Sequence, residues 1–176
     1  MIVCAGDIEQ FTFAKPVGIG LVNVAINLTE LCLKERPKSL TFVGTAGSYG
    51  EKNIFDIVES TVASNIENSF FSNSSYTPLK SIVSNLENVS RETIVNSSNY
   101  ITTDDRLSEY YLKKNIHLEN MEFFAVLKVA EKFNIHAKGI FIVTNYCNKN
   151  AHEDFLKNRM EAMDILSGYV CCSPIV

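Results

Sequence analysis

Apolar positions along this chain fall into two alternating patterns. Residues 2–5, 40–44, 93–96 and 140–144 form short, mostly apolar runs, several of them β-branched or aromatic, bounded by Gly, Pro, Ser or Asn. Runs of that length and composition predict strands buried within a sheet. A shorter run at 54–58 predicts a further strand, and the apolar run 11–17, with Pro16 near its end, predicts one that stops at Gly18-Ile19-Gly20. Between these runs the spacing changes to that of a helix. Leu21–Glu35 carries Val24, Ile26, Leu28, Leu31 and Cys32 among polar residues, although the apolar face is wide. Residues 108–114 predict a short helix. Residues 121–133 predict a longer one with Phe123, Val126, Leu127 and Ala130 on one face, and 153–170 a last one with Phe155, Leu156, Met160, Met163, Leu166 and Tyr169. The stretch 64–77 is rich in Ser and Asn and predicts an irregular connection.

Strand, glycine turn, helix, strand over the first 44 residues is a βαβ unit, whose crossover is right-handed. The alternation along the chain predicts an α/β fold, three-layer αβα, around a central mixed, mostly parallel sheet. With 176 residues, 46% of them hydrophobic, the chain can bury one sizeable core, so a single domain over 1–176 is expected. The formal net charge of −4 argues against nucleic-acid or anionic-membrane partners. No stretch approaches the roughly 18 consecutive apolar residues of a membrane span. The first ten residues, MIVCAGDIEQ, lack the basic start of a signal peptide, so a cytoplasmic location is expected. The five cysteines are odd in number and show no CxxC spacing, which predicts neither a metal site nor a disulfide framework.

Ligands of open α/β sheets bind at the carboxyl ends of strands. Four polar features fall there: Glu9 after the first strand, Thr45 after Val43-Gly44, Asn145 after Val143-Thr144, and Glu122 at the start of an apolar helix. Gly44, Gly47 and Gly50 predict a loop on which a ligand could rest. Each feature also has a plain structural reading. The loop can be an ordinary glycine turn, Glu9 a solvated turn residue and Asn145 a turn residue tolerating left-handed geometry. Thr45 can cap a turn, and Glu122 can be an acid favoured at a helix N-terminus.

The order of these pieces resembles the purine nucleoside phosphorylase and nucleosidase family. The chain shares with it a strand followed by Gly6-Asp7, a Gly18-Ile19-Gly20 start to a long helix, and Val43-Gly44-Thr45-Ala46-Gly47. The hydroxyl-rich Thr102-Thr103-Asp104, then Met121-Glu122 opening an apolar helix, and Val143-Thr144-Asn145 complete the match. The resemblance implies the family's fold, a short member of it, and cleavage of the N-glycosidic bond of purine nucleosides. It implies ribose binding by Glu122 and Met121, a catalytic contact to the base from Asn145, and a phosphate- or base-binding loop of Gly6, Gly44, Thr45, Ala46 and Gly47. It implies no cofactor and no metal, phosphate as co-substrate, and a homo-oligomer, such as a homodimer, that supplies part of the pocket wall. The expected activity is therefore that of a purine nucleoside phosphorylase of purine salvage.

The chain departs from the family pattern where phosphate is held. Arginines that many phosphate-using members carry are replaced by Gln10 and Phe42, leaving Lys15 or Arg91 as substitutes. Hydrolytic members use a glutamate of the first loop on water, which points to Glu9 in a catalytic role. Asn145 in place of Asp can donate a hydrogen bond but not a proton, which favours 6-oxopurines. The alternatives are therefore a hydrolytic nucleosidase of the methylthioadenosine/S-adenosylhomocysteine type, or a catalytically weakened nucleoside-binding homologue.

Overall fold

The computed structural model describes residues 1–84 and 93–172. Arg91, one of the candidate phosphate ligands, lies outside the described residues. In chain order the elements are β1 (Ile2–Cys4), β2 (Lys15–Pro16), α1 (Leu21–Glu35), β3 (Ser39–Ser48), β4 (Ile57–Ser60), β5 (Val62–Ser64), β6 (Ile82–Ser84), β7 (Ile94–Ser97), α2 (Asp105–Lys113), β8 (Ile116–Asn120), α3 (Phe123–Phe133), β9 (His136–Tyr146) and α4 (Ala151–Cys172). Among the described residues no helix is long and apolar enough to cross a membrane.

All the strands belong to one mixed sheet organised around β3 and β9. β9 runs parallel to β3 along its whole length. On its other side β3 has two partners. Its first half lies parallel to β1, and Gly47 and Ser48 at its far end pair antiparallel with β8. β1 pairs parallel with β2, β5 with β7, and β7 with β8; β4 with β9 and β5 with β6 are antiparallel. The sheet is mixed and mostly parallel, as the alternation predicts.

Side-chain alternation along the two central strands feeds both faces. Leu40 and Phe42 of β3, with Phe141 and Val143 of β9, join Val24, Leu28 and Cys32 of α1 and Phe123, Val126 and Ala130 of α3. Val43, Ile140 and Ile142 point the other way, into Ala162, Leu166 and Val170 of α4. Helices thus cover both faces, giving three layers. The rings of Phe42, Phe123 and Phe141 meet at centroid distances of 5.1–6.3 Å. Each such side chain, fully buried, is worth roughly 1.5–3 kcal/mol. Cys32 and Cys4 are buried in these two clusters as small hydrophobes and Cys147 in a third with Tyr49, Tyr111 and Ile116, while Cys171 and Cys172 are exposed.

Several boundaries differ from the sequence expectation. The glycine stretch after Gly44 is not a loop: β3 continues through it to Ser48, with a bulge between Ala46 and Gly47, because β9 and β8 supply partners on both sides. The chain turns only at Gly50, whose φ is 126°. The run 11–17 is mostly a turn in which Phe11 packs inward, leaving two residues of strand. The run 54–58 joins the sheet only from Ile57, since Phe55 has φ 69°. The sequence reading did not find β5, β6 or β8. β8 is the costly omission. Ile116-His117-Leu118-Glu119-Asn120 is wholly buried despite three polar residues.

Candidate active site

β1 and β3 lie side by side and parallel, so both deliver their ends to one edge of the sheet. Past β1 the chain makes a tight turn. Gly6 and Asp7 both have positive φ, and the Glu9 N–H donates to the Gly6 carbonyl at 2.9 Å. This folds Glu9 back over β3. Thr45 donates its backbone N–H to Glu9 Oε2 at 3.1 Å and its hydroxyl to Oε1 at 2.6 Å. The anion that Thr45 holds is therefore the chain's own carboxylate.

Glu122 is placed by Asn120. The Asn120 Oδ1 accepts from the N–H groups of Glu122 and Phe123 at 2.8 and 2.7 Å, capping α3 with its own side chain. The Glu122 carboxylate is thereby free for another helix. Its Oε1 accepts the Gly20 N–H at the start of α1, at 2.9 Å, and its Oε2 accepts Asn120 Nδ2 at 2.6 Å and the Met121 N–H at 3.1 Å. The Leu21 N–H goes to Asn99 Oδ1 at 3.1 Å, so two side chains satisfy the exposed end of α1. Gly20 has φ 81°, and a Cβ there would stand 2.9 Å from Asn99 Oδ1. Burial pushes the Glu122 carboxyl up to about 7; the Gly20 N–H opposes that rise and the charge of Glu9 adds to it.

Gly47 sits between the two remaining polar groups. It pairs with Glu119 of β8 on one side and with Asn145 of β9 on the other. A Cβ on Gly47 would lie 2.8 Å from Cys147 Sγ and 3.0 Å from Asn145 Nδ2, so the close approach requires glycine. Asn145 Oδ1 accepts from the Thr144 hydroxyl at 2.9 Å, and its Nδ2 donates to the Tyr146 carbonyl at 3.2 Å. Glu119 receives the Tyr49 hydroxyl at 2.7 Å, the Thr102 N–H at 2.8 Å and the Thr102 hydroxyl at 2.6 Å, with the Cys147 thiol at 3.8 Å. Burial raises the Glu119 carboxyl above its ordinary value while these donors pull it down. Burial, with the Glu119 charge beside them, holds Tyr49 and Cys147 well above their usual ranges.

These groups surround a single cavity of about 240 Å³. Gly6, Glu9, Thr45, Ala46, Gly47, Met121, Glu122 and Asn145 all line it, so the structure brings together almost every residue singled out in the sequence. Gly44 stands just behind, where a Cβ would lie 3.4 Å from Glu9 Oε2. Sequence reasoning missed Glu119 and Asn120, together with Ile8, Ile19 and Ile101 and, from α4, Ala151, His152 and Phe155. The alternation of Ile116 and Leu118 with polar residues was the available signal for Glu119. Among the described lining residues Glu9, Glu119 and Glu122 are carboxylates and none is Lys or Arg. Lys15 is not among them; it pairs with Glu35 at 2.5 Å. Phe42 is in the core and Gln10 is exposed. Among the described residues no group of three or more His, Cys, Asp or Glu is arranged to hold a metal ion.

A family profile described as the Phosphorylase superfamily matches residues 2–171. The chain belongs to that superfamily. Its members are nucleoside-cleaving enzymes of the kind the motif order resembles. Solved structures share the superfamily fold at low identity. A D198N mutant of the Helicobacter pylori nucleosidase MTAN, with 5′-methylthioadenosine in its active site, superposes with TM-score 0.79 at 14% identity, covering 96% of this chain and 94% of that one. Futalosine hydrolase of H. pylori gives TM-score 0.79 at 15% identity, over 96% and 94% of the two chains. A Streptococcus pneumoniae MTA/SAH nucleosidase in complex with 8-aminoadenine gives 0.74 at 15%, over 96% and 97%. No curated protein matches the chain.

Proposed function

We propose that this chain hydrolyses the N-glycosidic bond of purine nucleosides, with water rather than phosphate as the acceptor. The observation that carries this reading is the Glu9–Thr45 pair, which sets a carboxylate on the glycine segment where a phosphorylase needs positive charge. A phosphate beside Glu9 and Glu122 would meet like charge. Two unit charges 4 Å apart repel by about 4 kcal/mol at an effective dielectric of about 20. Water meets no such penalty, and a carboxylate is the group that takes its proton. The hydrolytic names of the solved structures with this fold support the same choice over phosphorolysis.

In this reading the sugar lies over Met121, and Glu122 accepts from one of its hydroxyls with the Oε1 lone pair that Gly20, Asn120 and Met121 leave open. Water held by Glu9 attacks C1′ as the bond to the base breaks. Positive charge develops on the sugar ring, and the carboxyl oxygens of Glu9 and Glu122 stabilise it. The test is base release from purine nucleosides with and without phosphate. Equal rates, with free ribose as product, are expected; release that depends on phosphate, with ribose 1-phosphate formed, would overturn the reading. A weakly catalytic nucleoside-binding protein is the second reading, and Asn145 is the observation that favours it, because an amide has no proton to give the leaving base.

A further inference from the structure

The end of the cavity around Gly47 poses a chemical difficulty for a neutral nucleoside. A neutral purine gains negative charge as its bond to C1′ breaks, and protonation is the usual relief. Neither side chain flanking Gly47 can provide it. Asn145 is an amide, already engaged with the Thr144 hydroxyl and the Tyr146 carbonyl. Glu119 faces the Tyr49 hydroxyl, the Thr102 N–H and hydroxyl, and the Cys147 thiol, so donors occupy both of its oxygens and no lone pair is left to carry a proton to a base. A charge building on the base would also stand close to that carboxylate. Glu9 and Glu122 add two more carboxylates to the same cavity.

A base that carries a fixed positive charge on a ring nitrogen reverses both problems. It is attracted to a carboxylate-lined cavity, and it departs as a neutral molecule with no acid required. We propose that the preferred substrates of this site are nucleosides whose base is cationic, an N7-alkylated purine or a pyridinium. This inference rests on the hydrolytic reading above and narrows its substrate class. In the step, a bond forms between the water oxygen and C1′ while the C1′–N bond breaks. The bonding pair goes to the ring nitrogen and cancels its charge, and the water proton passes to Glu9, leaving ribose and a neutral base. Glu119 acts on binding, because charge leaves the base as the transition state forms. Glu9 and Glu122 act on the sugar, where that charge arrives.

The experiment measures kcat/KM without phosphate for 7-methylinosine, nicotinamide riboside, inosine and adenosine, in the wild type and in Asn145→Asp. The aspartate keeps an oxygen for the Thr144 hydroxyl and restores a proton donor. General acids contribute about 100-fold or more, so the wild type should favour a cationic nucleoside by about that factor. Asn145→Asp should narrow the ratio about 10-fold or more by raising the neutral pair. Because cationic nucleosides are also more labile in water, this change in ratio is the decisive readout. Preference for either cationic compound supports the proposal and tells which ring the site takes. A wild type that cleaves inosine or adenosine as efficiently as 7-methylinosine, or a ratio unchanged in the variant, would overturn it while leaving hydrolysis standing. Cleavage of none of the four would overturn the hydrolytic reading and this inference together.

Discussion

Glu9 and Glu122 are both carboxylates on one cavity, yet their partners make them respond differently to the same substitution. Glu9 is held by Thr45, whose hydroxyl can reverse and accept. Glu9→Gln is therefore expected to fold with stability within about 0.5 kcal/mol of wild type and to lose turnover about 100-fold or more, checked by thermal unfolding and base release. Glu122→Gln looks equally mild from the sequence, since it keeps the shape and removes the charge. The structure says otherwise: Gly20 N–H, Met121 N–H and Asn120 Nδ2 are all donors. An amide there sets N–H against N–H and should cost about 1–3 kcal/mol in urea unfolding. Glu122 also sets a pH dependence. Its carboxyl is raised from 4.5 to about 7 on folding, so between those values the folded chain holds a proton that the unfolded chain has lost. Its contribution to stability is full below pH 4.5 and disappears as pH rises through 7. Melting temperature should fall across that window, and less steeply in Glu122→Gln; Glu119, raised in the same direction, retains part of the slope.

β3 does two jobs along its length, core strand and then site floor, and two glycines of the β3–β9 pair separate them. Gly47→Ala pushes a methyl to 2.8 Å from Cys147 Sγ and 3.0 Å from Asn145 Nδ2. Asn145 must shift, so activity per folded molecule should fall, with a stability loss of about 1–3 kcal/mol. Gly139→Ala on β9 collides instead with the rings of Phe141 and Phe123, away from the cavity lining. It should lower stability while leaving kcat/KM of the folded fraction unchanged. Finding the reverse pattern, with Gly139→Ala harming catalysis and Gly47→Ala harmless, would break the assignment of Gly47 to the site.

The cavity is lined from both ends of one chain, and its rim carries exposed Ile8, Ile19 and Ile101. Next to that rim α1 leaves Val22, Ile26 and Leu33 between 60% and 63% exposed. Their spacing of four and seven residues puts them on one stripe, opposite the buried Val24, Leu28 and Cys32. An uncovered stripe beside an open rim fits the expectation that a second copy completes the pocket wall. Sedimentation should show a dimer or larger, and Val22→Glu with Ile26→Glu should yield a monomer of reduced activity. A fully active wild-type monomer would remove the second copy from the site.

Helices α1, α3 and α4 and the central strands were legible because each is written in local periodicity: the spacing of Val24, Leu28 and Cys32, or the unbroken apolar run at 140–143, needs no knowledge of what it packs against. Glu9, Thr45, Glu122 and Asn145 were legible because the sequence reads each as ending a strand or beginning a helix, and in an open α/β sheet such ends meet, although β3 runs on past Thr45 to Ser48 and β9 past Asn145 to Tyr146. What no local pattern carries is the pairing itself. Glu9 meets Thr45 across 36 residues, Gly20 meets Glu122 across 102, and Tyr49 meets Glu119 across 70. A buried carboxylate such as Glu119 is tolerated only because distant donors converge on it. Its strand therefore reads as polar until Tyr49, Thr102 and Cys147 are brought to it, and only the tertiary structure does that.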